Sequence, residues 1–317
     1  MGKVAFVFPG QASQYSGMGK ELAEKYPSAR AVFDEADKAL GFSISRICFE
    51  GTEEELKLTA NTQPAILTVS VAAFRVLGDK GIAPDYVAGH SLGEYSALVA
   101  AGALNFADAV RLVHKRGKYM QDAVPAGQGA MAAILGISPA VVQDACKRAA
   151  EGEICSAANL NSPEQTVISG HANAIKRAVE IASQSGAKRA VILPVSAPFH
   201  CELMMPAQQK LEKDLQTTQF SDLQIPLVTN VDADSIRKGD EARQALVRQV
   251  CMPVLWEGSM RFLLDEDVRT FIEVGPGRVL TGIMRQIERS VTMLNVEDEK
   301  SLSATIEKIV AAKIDAA

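Results

Sequence analysis

The chain has 317 residues, of which 47% are hydrophobic, and a formal net charge of −5 at pH 7. That hydrophobic fraction supports a substantial core and excludes a disordered chain, while the acidic balance argues against nucleic acid as a partner, because phosphate binding needs a basic surface. No apolar run approaches the roughly 20 residues of a bilayer-spanning helix, so no membrane partner is expected.

Residues 4–8 (VAFVF) predict a buried strand, too short for a signal-peptide core and stopped at once by Pro9-Gly10, so the expected location is cytoplasmic. A helix is expected over residues 20–40, another over 64–77, a short strand at 86–88 and a helix after Ser91. This alternation predicts an α/β fold with parallel pairing. The rhythm changes between Gly127 and Ser196. Strands at 130–135, 154–159, 165–169 and 189–195 interleave with helices at 139–150 and 172–185, giving βαββαβ, the ferredoxin-like order. The flanking stretches PAGQG and PVSAP suit domain crossings. The expected architecture is a hydrolase-like parallel-sheet core from residues 1–126 and 197–317 with an inserted ferredoxin-like small domain at 127–196. Residues 301–317 predict a terminal helix. Five scattered cysteines (Cys48, Cys146, Cys155, Cys201, Cys251), with no C-x-x-C pair, suit neither a zinc site nor a disulfide framework.

The chemistry begins at Gly89-His90-Ser91-Leu92-Gly93, which fits G-x-S-x-G at a strand-to-helix turn. Such a turn exposes a serine hydroxyl and lets the Leu92 backbone N–H face a developing oxyanion; the same pattern also fits a tight turn with a capping serine. A serine nucleophile needs a base, and the chain has four histidines. His90 adjoins the serine and should point away from it. His114 lies on the polar side of its helix and is expected to be solvated, and His171 opens a helix of the small domain with a surface role. His200, in SAPFHCELM before a helix, is the candidate; a helix N-terminus disfavours imidazolium and would keep it neutral. A capping or core histidine is the competing reading. In ADAVRLVHKRGKYMQ, Ala109, Val113, Arg116 and Met120 are spaced 4, 3 and 4, placing Arg116 in the apolar stripe. A cation there needs an anionic partner, supplied by a structural ion pair or by a substrate carboxylate clamped in bidentate fashion.

Together these stretches resemble the malonyl-CoA:acyl carrier protein transacylase family, related to the acyltransferase domains of fatty acid and polyketide synthases. The resemblance runs through FPGQASQYSGMG, NTQPA, GHSLGEYSAL, RGKYMQDA, GAMAAILG, NSPEQTVISG, PVSAPFHC, LVRQVCMPVLW and EVGPGRVLTG, in order along nearly the whole chain. It implies Ser91 as nucleophile, His200 as general acid/base and Arg116 as carboxylate clamp. It further implies an oxyanion hole from the Gln11 and Leu92 amides, and the Gln249 backbone carbonyl as the group that orients His200. Phe199, directly before the histidine, corresponds to the acyl-pocket variant associated with malonyl rather than methylmalonyl preference in related domains. Ala12 and Glu164 stand where the family usually has glycine.

The resemblance implies ping-pong transfer of malonyl from malonyl-CoA to the phosphopantetheine thiol of acyl carrier protein, by a discrete enzyme that needs no metal or redox cofactor. Carrier proteins of this kind are acidic, making Lys188, Arg189 and Arg285 docking candidates. The competing class is an α/β-hydrolase-like esterase or thioesterase. Its catalytic histidine usually comes late in the chain, and its HGGG-type oxyanion motif is absent here.

Overall fold

The computed structural model describes residues 2–195 and 197–314. Ser196, at the second expected crossing, and residues 315–317 of the expected terminal helix lie outside the described residues. The strands in chain order are β1 (Lys3–Phe8), β2 (Tyr86–Gly89), β3 (Gly129–Leu135), β4 (Cys155–Ser162), β5 (Gln165–His171), β6 (Arg189–Ile192), β7 (Leu227–Val228), β8 (Ser235–Ile236), β9 (Val268–Val274) and β10 (Thr292–Val296).

Six strands form one sheet in the order β10-β9-β1-β2-β7-β8, parallel except for the edge strand β8. The molecule is therefore mixed α/β with a parallel-sheet core. β1 lies centrally and is covered on both faces, which explains its unbroken apolar run. Its side chains alternate in period 2: Val4, Phe6 and Phe8 enter the larger core, with Leu67, Val71 and Leu98, while Ala5 and Val7 pack with Trp256, Met260 and Met284 on the opposite face.

The other four strands form an antiparallel sheet in the order β4-β5-β3-β6. Helices Pro139–Ala150 and Ala172–Gln184 pack on it around Val142, Cys146, Ile168, Ile175 and Ala178. β4 touches the 251–255 segment: Leu160 N donates to the Val254 carbonyl (2.9 Å) and Val254 N to the Ala158 carbonyl (2.8 Å).

Several boundaries differ from the sequence reading. The helix expected over 20–40 is two, Lys20–Lys25 and Pro27–Leu40, because Tyr26 precedes a proline and is extended (φ −120°, ψ 116°). The helix expected from residue 64 spans Thr59–Asp79 with Pro64 inside it. Pro64 is the sixth residue of this helix and has no N–H for the Ala60 carbonyl, which lies 2.8 Å from His114 Nδ1 instead, so a proline taken as a helix start marked it five residues late. The last strand of the small sheet ends at Ile192 rather than 195.

Candidate active site

Parallel pairing sets Phe8 beside Gly89, bringing the carboxyl ends of β1 and β2 together. In open α/β sheets ligands bind beyond those ends. Ser91 lies one residue, His90, beyond β2 and precedes the helix Gly93–Ala100. Its φ of 52° is left-handed, a conformation that costs a non-glycine residue on the order of 1 kcal/mol and persists only where the surroundings fix it. Asn230 fixes it from both sides: its Oδ1 accepts from Ser91 N (2.7 Å) and its Nδ2 donates to the Gly89 carbonyl (2.6 Å). Both glycines of the motif are required by close approach. A Cβ on Gly89 would collide with the Gly93 backbone, and one on Gly93 with the Phe8 carbonyl.

His200, 4% exposed, reaches this turn from the far side of the chain, with Nε2 2.7 Å from Ser91 Oγ. Its Nδ1 lies 2.8 Å from the Gln249 carbonyl. A carbonyl only accepts, so Nδ1 carries the proton and Nε2 is left as the acceptor for the serine hydroxyl. Burial pushes the imidazole down to about 3, and the positive Arg116 beside it adds to the fall. His200 is therefore neutral at physiological pH, and burial is the main cause rather than the expected helix N-terminus: a 3-10 turn, Glu202–Met204, stands between it and the helix Met205–Thr217.

Arg116 is 1% exposed, on the buried stripe of the helix Phe106–Asp122. Its expected anionic partner is not a direct one. Nη1 donates to Gln63 Oε1 (2.9 Å), and Nη2 to Ser91 Oγ (3.1 Å) and Gln249 Oε1 (3.0 Å). Its buried Nε has no hydrogen-bond partner among the described residues. The Ser91 oxygen thus accepts from a guanidinium while its proton faces an imidazole, an arrangement that favours alkoxide character.

Gln249 ends the helix Gly239–Gln249 and is fully buried. Besides its backbone contact to His200, its Nε2 donates to the Ser91 carbonyl (2.9 Å) and to Glu94 Oε2 (2.8 Å). Gln63, Asn230 and Glu94 are the site neighbours that neither spacing nor the resemblance named, and Gln249 was named by the resemblance alone, for its backbone carbonyl. Glu94 had a signal, being the one carboxylate in a helix whose eight residues are all buried. Asn230 had none, since it follows a two-residue strand.

Gln11 lies just beyond β1, where Gly10 packs so closely on the His90 carbonyl that a Cβ would collide with it. The Gln11 side chain reaches Thr59 Oγ1 (3.4 Å). Leu92 is 1% exposed at the helix start. Ala12 has φ 81°, so this position does require the left-handed region, and alanine adopts it at a cost that glycine would not bear. Glu164 is not left-handed; its side chain pairs with Lys188 (3.2 Å). Phe199 is buried in the larger core beside His200.

The remaining histidines stay outside the Ser91 cluster. His90 turns away from the serine, with Nε2 2.9 Å from Asn161 Oδ1 and its ring 5.3 Å from that of Trp256. His114 is not solvated as expected: it is half-buried, its Nδ1 lies 2.8 Å from the Ala60 carbonyl, and its ring packs 5.3 Å from that of Phe42. His171 accepts from Ile154 N through Nδ1 (2.9 Å), a structural bond rather than a bare surface position.

A cleft of about 680 Å³ opens onto His200 between β4, the helix Pro139–Ala150 and the 251–255 segment, with Cys155, Ser156 and Met252 on its walls. Its size suits a cofactor-sized ligand. Among the described residues no group of three or more His, Cys, Asp or Glu side chains is placed to hold a metal ion.

Residues 5–308 match the acyl transferase domain family. The chain is 49% identical over 310 residues to the malonyl CoA-acyl carrier protein transacylase of Bacillus subtilis (strain 168), covering 98% of each chain. It is 48% identical over 308 residues to the protein of the same name from Escherichia coli (strain K12), covering 97% of this chain and 100% of that one. The chain belongs to the malonyl CoA-acyl carrier protein transacylase family. A solved structure described as a type II PKS acyl-carrier protein in complex with its malonyl-transacylase resembles it with a TM-score of 0.94 and 46% identity, over 96% of this chain and 99% of that one. Membership makes this an acyltransferase, and no described helix is long and apolar enough to cross a membrane.

Proposed function

We infer that this chain transfers a malonyl group from malonyl-CoA to the phosphopantetheine thiol of acyl carrier protein, supplying the extender unit for fatty acid or polyketide synthesis. The observation that carries the mechanism is the relay in which Gln249's carbonyl holds His200, and His200 holds the Ser91 hydroxyl. Ser91 Oγ attacks the thioester carbonyl as its proton passes to His200 Nε2. The Gln11 and Leu92 amides hold the oxyanion, and His200 returns the proton to the departing CoA sulfur, leaving a malonyl-serine ester. The carrier thiol then attacks that ester by the same steps in reverse. Arg116 clamps the malonyl carboxylate, and Phe199 shapes the acyl pocket.

The 127–196 segment acts in this reading as an inserted ferredoxin-like small domain within a hydrolase-like core of residues 1–126 and 197–317, a division supported by its βαββαβ order and separate core. The small domain walls the cleft. Carrier docking is assigned to the basic residues Lys188, Arg189 and Arg285; Arg189, on the edge strand β6, and Arg285 are exposed, whereas Lys188 pairs with Glu164. The cytoplasm is the proposed location, where the five free cysteines would remain reduced.

Brief incubation with malonyl-CoA alone, followed by peptide mass measurement, tests the scheme. A malonyl adduct on the Ser91 peptide, absent from Ser91→Ala and discharged by added carrier protein, is expected. Accumulation of free malonate with CoA would mark a hydrolase, and absence of both adduct and CoA release would remove Ser91 as the nucleophile.

A further inference from the structure

Arg116 is a buried cation whose direct partners are two amide oxygens and a hydroxyl. A buried charge without compensation costs several kcal/mol, so an anion nearby is required. Glu94, itself 1% exposed, supplies that charge when ionised. One of its oxygens accepts from Gln249 Nε2 (2.8 Å) and from Asn230 N (3.1 Å). The same Gln249 amide turns its Oε1 toward Arg116 (3.0 Å). The two opposite charges are therefore joined through one side-chain amide, with the amide dipole aligned between them.

We propose that Glu94 is the counter-charge of Arg116, held one amide away by Gln249, and that this spacing sets how tightly the acyl carboxylate is held. The proposal rests on reading Arg116 as the carboxylate clamp. In a direct ion pair Glu94 would occupy the guanidinium, and each incoming acyl carboxylate would have to displace it. With the amide interposed, the cation is stabilised without a direct ion pair, and its buried Nε makes no hydrogen bond among the described residues. The same carboxylate opposes a second negative charge at Arg116, because like charges repel at this range inside a protein. A ping-pong enzyme must release the acyl group it has captured, and that opposition limits how firmly malonyl is retained. An acyl group without a carboxylate does not experience it. Glu94 acts through Gln249 and Arg116, which makes it a positioning residue that sets specificity.

The test compares wild type with Glu94→Gln and Glu94→Asp at pH 8, using malonyl-CoA and acetyl-CoA as donors and thermal unfolding as the control. Glu94→Gln removes the charge and keeps an oxygen to accept from Gln249 Nε2. Its KM for malonyl-CoA is expected to fall at least about fivefold, the low end of usual site-to-site coupling. Single-turnover discharge of its malonyl-enzyme to carrier protein is expected to slow, while acetyl transfer stays within about twofold, since the acetyl group brings no charge for the coupling to act on. Glu94→Asp draws the charge back by one methylene, so its KM should lie between the two; should Glu94→Gln not fold, this variant decides alone. A raised KM, or equal losses with both donors, overturns the proposal and leaves Glu94 a structural residue. If Arg116→Ala itself lost malonyl and acetyl transfer equally, the clamp reading would fail and the proposal with it.

Discussion

Single side chains carry the discrimination proposed for this site. Arg116 offers a cation in a place shielded from water, and a donor lacking a carboxylate leaves that cation's hydrogen bonds unmatched. A buried polar group without its substrate partner can discriminate by about 10⁴. Arg116→Ala is therefore expected to reduce kcat/KM with malonyl-CoA by about three orders of magnitude or more and to change acetyl transfer far less. Steady-state kinetics with both donors checks this, and equal losses would refute the clamp. At this scale Ser91, His200 and Arg116 were legible in the sequence, because a glycine-framed serine, a histidine at a turn and a cation in an apolar stripe each break a local rule. Gln249 was not. A glutamine at a helix end breaks nothing, and its side-chain amide became a link between Arg116, Glu94 and the Ser91 carbonyl only once distant elements met.

The elbow is a property of an element and its neighbours. Gly89 and Gly93 let β2, the following helix and the end of β1 approach within van der Waals contact, and no side chain fits between them. Gly89→Ala is expected to shift the helix start, move Ser91 Oγ off His200 Nε2, and cost at least about 2 kcal/mol of stability together with most of the activity. Thermal unfolding and kcat measured on the same preparation check both halves; normal stability with normal activity would show that the turn adapts. β9 and β10 were not among the expected strands, whereas β1, an apolar run, and Phe106–Asp122, a clear amphipathic helix, could be read from the sequence. The two-residue strands β7 and β8 could not. A strand that short has no period, and it exists only because the main sheet continues beside it. Yet β7 leads through Thr229 to Asn230, which pins the elbow.

Across the whole molecule, two buried titratable groups tie the site to global stability with opposite signs. His200 titrates near its ordinary 6.5 when unfolded and at about 3 when folded, so the unfolded chain binds the extra proton between those values and stability falls as pH drops through that range. Burial raises Glu94 from 4.5 to about 7, so the folded chain holds the extra proton there and stability falls as pH rises through that range. Thermal unfolding of wild type and His200→Gln from pH 7 to pH 4 separates the two. The variant is expected to lose less stability on acidification than wild type, whereas parallel curves would show that His200 is not buried as a neutral ring.

The sequence by itself pointed to the α/β class with parallel pairing, the βαββαβ order of the middle segment and the elbow, and it singled out Ser91, His200 and Arg116 as candidates while leaving a capping serine, a core histidine and a structural ion pair open. Those features follow from local periodicity, turn chemistry and residues that violate the pattern around them. Only the tertiary structure decided that Arg116 has no direct ion pair among the described residues, that Glu94 stands one amide away from it, and that Asn230 holds Ser91 in the left-handed region. Residues 94, 116, 230 and 249 lie on four separate segments. Their contacts arise where these segments pack together beyond the carboxyl ends of β1 and β2, and chain distance carries no information about a bond across 139 residues.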